Sequence, residues 1–171
     1  FDTNDYILLY AKGPHSWEVD INTNNVSHKQ NIYSDKAYYF ITVNDNNGKR
    51  IQSASSLTGI PVTQLTSFND YIFYENETTN LFAAGRKWLG EDFSVENQQT
   101  FQLPFPNSVQ NEPLNIKVRA VAVSGLTSSM QVKVNSQDLF NLNFSASFSP
   151  GVLASDRAQS ANRLISSSTI E

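Results

Sequence analysis

Cysteine is absent from this 171-residue chain. That removes disulfides, thiolate metal sites and any cysteine nucleophile from these residues. Histidine occurs only at His15 and His28. A zinc site takes three or four protein ligands, so this pair would need carboxylates delivered by the fold. No apolar run approaches the roughly 18 residues of a membrane-spanning helix, so no transmembrane segment is expected. Positive charge is in deficit, with twelve Lys plus Arg against sixteen Asp plus Glu and a net charge of −4. The basic residues are also scattered, so nucleic acid is not an expected partner. The chain has no Gly-x-Ser-x-Gly elbow, no Gly-rich phosphate loop and no His-Glu-x-x-His pair, which leaves hydrolase chemistry of those kinds without support. No catalytic constellation, cofactor or metal is expected here. The chain opens at Phe1 without an initiator Met, a basic n-region or an apolar signal segment, and it reads as an excised or processed piece of a longer protein.

What is present favours strands. Aromatics make up 12% of the chain, with eleven Phe and seven Tyr, and such residues suit a half-buried pleated surface. Nineteen Asn and twenty-one Ser make a surface polar through neutral groups, as suits a secreted or cell-surface β-domain. The strongest pattern lies between Leu114 and Phe148. Ile116, Val118, Ala120 and Ala122 alternate with Lys117 and Arg119; Met130, Val132 and Val134 alternate with Gln131 and Lys133; Phe140, Leu142, Phe144, Ala146 and Phe148 alternate with Asn and Ser. Side chains two apart share one face of a strand, so three consecutive strands in a meander are expected, buried against another sheet.

Upstream, residues 6–11 form a short apolar run bounded by Asp5 and Gly13-Pro14 and read as a buried strand. Residues 17–21 alternate and lead to an Asn-rich turn at 22–25, after which a second arm is expected. Residues 37–43 are strongly β-prone; Asn44-Asp-Asn-Asn-Gly48 reads as a hairpin connection with a return through 50–54. Residues 68–75 resume extended structure. Thr78 or Thr79 offers a cap for a short helix near 78–85 ended by Gly85, and Trp88 is the expected large anchor beyond it. Pro104 places the Phe101, Leu103, Phe105 strand at an edge or bulge. Residues 152–165 admit two readings, a helix capped by Ser155 with Ala158, Ala161, Leu164 and Ile165 inward, or a loop and edge strand. The last residues, 166–171, read as a frayed end or the start of a strand. The expected fold is therefore all-β: a hairpin-rich unit over 1–85, then an antiparallel β-sandwich over 86–171, jelly-roll-like or Greek-key, not necessarily complete at Glu171.

Several groups invite a chemical reading and a plainer one. His15 and His28 are candidate ligands, or a loop histidine packed beside Trp17 and an exposed partner. Asn44, Asp45, Asn47 and Gly48 resemble part of a calcium loop but lack the closing Glu, which favours the hairpin turn. Glu91 with Asp92, and Glu75 with Glu77, are carboxylate pairs of the kind that act across a sugar, although neighbours on a strand point to opposite faces. Trp17, Tyr33, Tyr38, Tyr39, Tyr71 and Tyr74 supply rings for stacking on sugars, or for ordinary cross-strand packing. Asn25, Asn76 and Asn143 begin Asn-x-Ser/Thr sequons, relevant only where the source glycosylates.

Three stretches carry a resemblance: Asn4-Asp-Tyr-Ile-Leu-Leu-Tyr-Ala-Lys-Gly-Pro-His-Ser-Trp17; Asn31-Ile-Tyr-Ser-Asp-Lys-Ala-Tyr-Tyr-Phe-Ile-Thr42 with Gly48-Lys-Arg-Ile51; and Tyr74-Glu75 through Asn80-Leu-Phe-Ala-Ala-Gly-Arg-Lys-Trp-Leu-Gly-Glu-Asp-Phe93. They cover about 1–93, and the chain there resembles PorU-type sortases of the type IX secretion system, cell-surface members of the gingipain family of cysteine peptidases. The similarity is to the β-rich region upstream of the peptidase domain, whose catalytic His and Cys lie later, so no catalytic residue is carried over. The resemblance implies a non-catalytic module on the extracellular side of the outer membrane. Its expected partners are the parent peptidase domain, secretion-system proteins or exported cargo. The rival expectations are a carbohydrate-binding β-sandwich and a ligand-free structural spacer.

Overall fold

The computed structural model describes residues 8–23, 25–42, 45–46, 52–60, 63–81, 88–147, 154–164 and 169–171. Among the described residues the protein is all-β, with eight strands in four two-stranded antiparallel sheets and no helix. The chain divides into two compact units, Phe1–Glu91 and Asp92–Glu171. The break expected at Gly85 lies outside the described residues, as do residues 82–84 of the short helix. The earlier part of that segment is extended, because Thr79 forms an antiparallel bridge with Leu89. Trp88, the expected anchor, is exposed.

Among the described residues the first unit has one hairpin, β1 (Ser16–Asp20) paired with β2 (Asn25–Lys29). Its turn is fixed by Asp20, which accepts from the Asn22 backbone N–H at 2.9 Å and from the Thr23 hydroxyl at 2.8 Å. The Thr23 bond and then the Asn22 bond hold the Asp20 carboxyl below its ordinary value, as expected where donors favour the charged form. Three other expected strands do not form over their described residues. Residues 8–11, 37–42 and 68–75 carry no ladder, and Tyr10 and Phe40 stand in solvent. Strand propensity measures fit to a half-buried surface. Without a partner strand to create that surface, it does not organise these runs. The hairpin connection at 44–48 lies largely outside the described residues.

In the second unit the alternating pattern becomes β4 (Pro113–Ala122), β5 (Ser128–Val134) and β6 (Gln137–Phe144). They do not form one meander. β5 pairs with β6 through the two-residue turn Asn135-Ser136, both at positive φ, the geometry of a primed hairpin turn. β4 instead pairs along its whole length with β7 (Ser155–Leu164). The helical reading of 152–165 is therefore overturned for its described part: Ser155 is buried and accepts from the Ser145 N–H at 3.1 Å rather than capping a helix. The remaining pair is β3 (Leu103–Pro104) with β8 (Thr169–Ile170), so the chain end is part of the sheet system.

The core of this unit is small. Leu142 and Phe144 are buried on β6, and Val134 with Ile170 centres a cluster against which Leu103, Phe105, Leu114, Ile116 and Leu139 pack. Leu139 reaches that cluster through a bulge. Val132 faces Phe140 while Lys133 faces Asp138, which leaves Leu139 as the extra residue, the local arrangement that re-aims a side chain. Beyond Phe144 the strict alternation stops. Ala146 is exposed and Ser147 is buried, its hydroxyl donating to the Ser124 carbonyl at 3.0 Å while accepting from the Ser124 N–H at 2.8 Å. Arg119 makes a bidentate bond to Asp156 across the β4–β7 ladder at 2.9 and 2.6 Å. It is exposed, so it fixes register more than it stabilises.

Candidate functional site

The site is built on the β1–β2 hairpin. Antiparallel pairing sets Trp17 directly opposite His28, and cross-strand neighbours at that separation touch. Their rings meet edge-to-face, 4.8 Å between centroids. Phe73 stacks on His28 at 3.7 Å, and Tyr71 tilts against Trp17 at 5.8 Å. The segment over 71–75 is thus fastened by its rings rather than by a ladder, and Glu75 arrives with it. On the other side His15, 5.9 Å from His28, accepts from the Asn31 N–H through Nδ1 at 3.0 Å. That bond turns Nε2 towards Asp35, 3.7 Å away.

His15, Trp17, His28, Asp35, Phe73 and Glu75 line a cleft of about 620 Å³, whose remaining walls come from Gln30, Asn76 and Glu77. Two of its polar atoms, Nδ1 of His28 and Oε1 of Gln30, are buried without a hydrogen-bond partner. An unmade bond of that kind is costly. Burial, and after it the neighbouring His15, lower the His28 pKa below its ordinary value of 6.5, while Glu75 pulls the other way. The folded ring therefore resists a proton that the unfolded chain accepts. Stability contributed by neutral His28 is complete above pH 6.5 and is lost as pH falls through the lower folded value. Thermal melting of the first unit, followed by Trp fluorescence, is expected to drop on acidification below that point. His28→Asn should flatten the dependence, and an unchanged slope would contradict the burial argument.

A second cluster lies at the Thr79–Leu89 bridge. The Thr78 and Thr79 hydroxyls donate to the Gly90 carbonyl at 2.8 and 3.1 Å. At Gly90 a Cβ would come within 3.2 Å of the Asn76 carbonyl oxygen, a close approach that glycine permits. Glu91 then accepts from Tyr74 Oη at 2.5 Å and from Asn76 Nδ2 at 3.0 Å. Burial alone would raise the Glu91 pKa, but the Tyr74 and Asn76 bonds outweigh it and hold it low. The same bond to Glu91 raises the Tyr74 hydroxyl. Glu91 is thereby a structural acceptor. Asp92, the first residue of the second unit, accepts from the Ser94 N–H at 2.8 Å.

The expected ring platform is divided. Trp17 and Tyr71 come together, Tyr39 donates to the Lys12 carbonyl, and Tyr33 and Tyr38 are exposed. Glu75 and Glu77 do converge, on the cleft. Asp45 is exposed, and Asn44, Asn47 and Gly48 lie outside the described residues. Among the described residues no group of three or more His, Cys, Asp and Glu is placed to hold a metal ion. Also among them, no helix is long and apolar enough to cross a membrane. Phe73, like Gln30 and Asp35, is not singled out by the sequence. Its spacing from Tyr71 and Glu75 is the period of two that aligns all three, which was visible but had no partner strand to give it meaning. No family model, curated protein or solved structure matches the chain.

Proposed function

We propose that this chain is a non-catalytic β-module of a cell-surface, sortase-type cysteine peptidase of the type IX secretion system. In this reading it supports the processing and anchoring of exported cargo through protein contacts, with the second unit its antiparallel sandwich. The motifs between Asn4 and Phe93 suggest the lineage. The observation that carries the mode of action is the exposure of large apolar side chains in the first unit, where Phe40 is 94%, Leu57 99% and Phe68 84% exposed. Large side chains of that kind are characteristic of surfaces covered by another protein. For the sandwich, the support is the packing of Leu114 and Ile116 from β4 onto Val134 and Ile170 of other strands, since facing sheets bury alternate residues in that way.

The chain alone is expected to hydrolyse no peptide substrate and to be retained by the separately expressed peptidase domain of its parent. Phe40→Ser with Leu57→Ser should weaken retention about tenfold, roughly 1.4 kcal/mol, without altering the circular dichroism spectrum. Hydrolysis by the chain alone, or undiminished retention of the variant, would overturn the proposal.

A further inference from the structure

The β1–β2 ladder ends where Ser16 faces Lys29. One step beyond it a side chain takes over from the backbone. Nδ1 of His15 accepts from the Asn31 N–H at 3.0 Å, which ties the chain leaving β2 to the chain entering β1. That bond has a condition attached. An imidazole accepts only through a ring nitrogen that carries no proton, and an imidazolium has two donors and no acceptor. The ring is therefore neutral while it holds Asn31, with its hydrogen on Nε2. That nitrogen lies 3.7 Å from Asp35 Oδ1, beyond hydrogen-bond length and within reach of an ion pair. A proton added at Nδ1 sets two N–H donors face to face and, in the same step, strengthens the attraction to Asp35.

We infer that His15 is a proton-operated latch at the base of the hairpin: uncharged, it holds Asn31 and closes the base; protonated, it releases Asn31, takes Asp35 as its partner and re-seats the loop over 31–35. The charges around the ring permit the exchange. His15 faces Asp35 from the loop after β2, His28 from β2 itself with 5.9 Å between ring centroids, and Glu75 and Glu77 from the segment that completes the cleft. The three carboxylates favour the charged ring, and the lost Asn31 bond opposes it. Lys29, at the last rung of the ladder, is engaged by Glu18 at 2.7 Å. A part-buried hydrogen bond and an exposed ion pair are both modest interactions, so neither partner outweighs the other by much and the proton decides between them. Histidine is the side chain that ordinarily makes such a change between about pH 5 and pH 8. His28 does not serve in the same way: burial, then His15, holds it towards its neutral form, and its Nδ1 has no hydrogen-bond partner to exchange. The latch stands whether or not the module serves a peptidase.

The test is NMR of the whole, isotope-labelled chain between about pH 5 and pH 8. At the alkaline end the ring nitrogen shifts of His15 should identify Nε2 as the protonated nitrogen and Nδ1 as the bare one, with the Asn31 amide protected from exchange. On acidification the Asn31 amide proton is expected to move upfield in step with the His15 ring, and its protection factor to fall about tenfold. The amide resonances of Val19 and Val26, in the middle of the ladder, should keep their positions and show that the hairpin itself persists. His15→Asn puts a side-chain oxygen near the place of Nδ1 that does not titrate in this range, so Asn31 should stay held throughout. His15→Lys, charged and without an acceptor, should leave Asn31 unheld throughout. Asp35→Asn, at a side chain 83% exposed, should preserve more of the Asn31 bond at the acid end than the parent chain keeps. An Asn31 amide indifferent to pH, a hydrogen on Nδ1 of the neutral ring, a transition that persists in His15→Asn, or an Asp35→Asn chain indistinguishable from its parent would each overturn the latch.

Discussion

Replacing Leu142 by alanine is expected to cost the second unit about 2–5 kcal/mol, among the largest losses any single substitution in the chain should produce. Leu142 sits mid-way along β6 opposite Met130 and is 2% exposed, the largest fully buried side chain among the described residues. Its removal leaves a cavity between strands held by backbone ladders, which cannot close over the gap without breaking register. The lost transfer energy and the unfilled volume therefore add. Both tryptophans lie in the first unit, so the measurement is urea denaturation followed by far-ultraviolet circular dichroism or by the amide resonances of β5 and β6. Leu126→Ala is the control: that side chain is exposed, and its loss should fall within about 0.5 kcal/mol. A Leu142 effect as small as the control would mean that β6 is not seated as described.

Leu142 also marks how far the sequence could be read. The alternation along 114–144 identified β4, β5 and β6 because a strand with one covered face writes that coverage into every second residue. Pairing is another matter. Ladders are made by backbone groups that every residue carries, so nothing in the side chains told that β4 would pass over β5 and join β7. β7 itself was obscure because most of it is exposed. Arg157, Gln159 and Ser160 face solvent as freely as Ala158 does, and the three-residue spacing of Ala158, Ala161 and Leu164 imitates a helix. The opposite error occurred over 8–11, 37–42 and 68–75, where dense apolar residues announced strands that lack partners. The cleft was half visible. The Asn-rich turn after Ile21 brings Trp17 and His28 together by simple counting along two arms, whereas Phe73 and Glu75 join them from about forty-five residues further on. A contact at that separation has no local signature.

Ile170→Ala is expected to cost the second unit about 2–5 kcal/mol as well, although the residue is next to last in the chain and belongs to a two-residue strand. Ends usually fray and tolerate change unless something ties them down. Here the ties are specific. Ile170 is 3% exposed and shares the cluster with Val134. Its strand pairs with β3, the Asn135 N–H donates to the Glu171 carbonyl at 3.1 Å, and the Glu171 N–H donates to Asn135 Oδ1 at 3.0 Å. The chain end is therefore pinned to the β5–β6 turn while its one large side chain closes the cluster that Leu139 enters through the bulge. Deleting residues 169–171 should cost more than the point substitution, because the backbone bonds go with the side chain and leave β3 with an unpaired edge. Because Val134 and Ile170 touch, Val134→Ala combined with Ile170→Ala should cost less than the two losses added, by about 0.5 kcal/mol or more. Strict additivity, or a deletion that leaves the denaturation midpoint where it was, would mean that the cluster is closed by something other than β8.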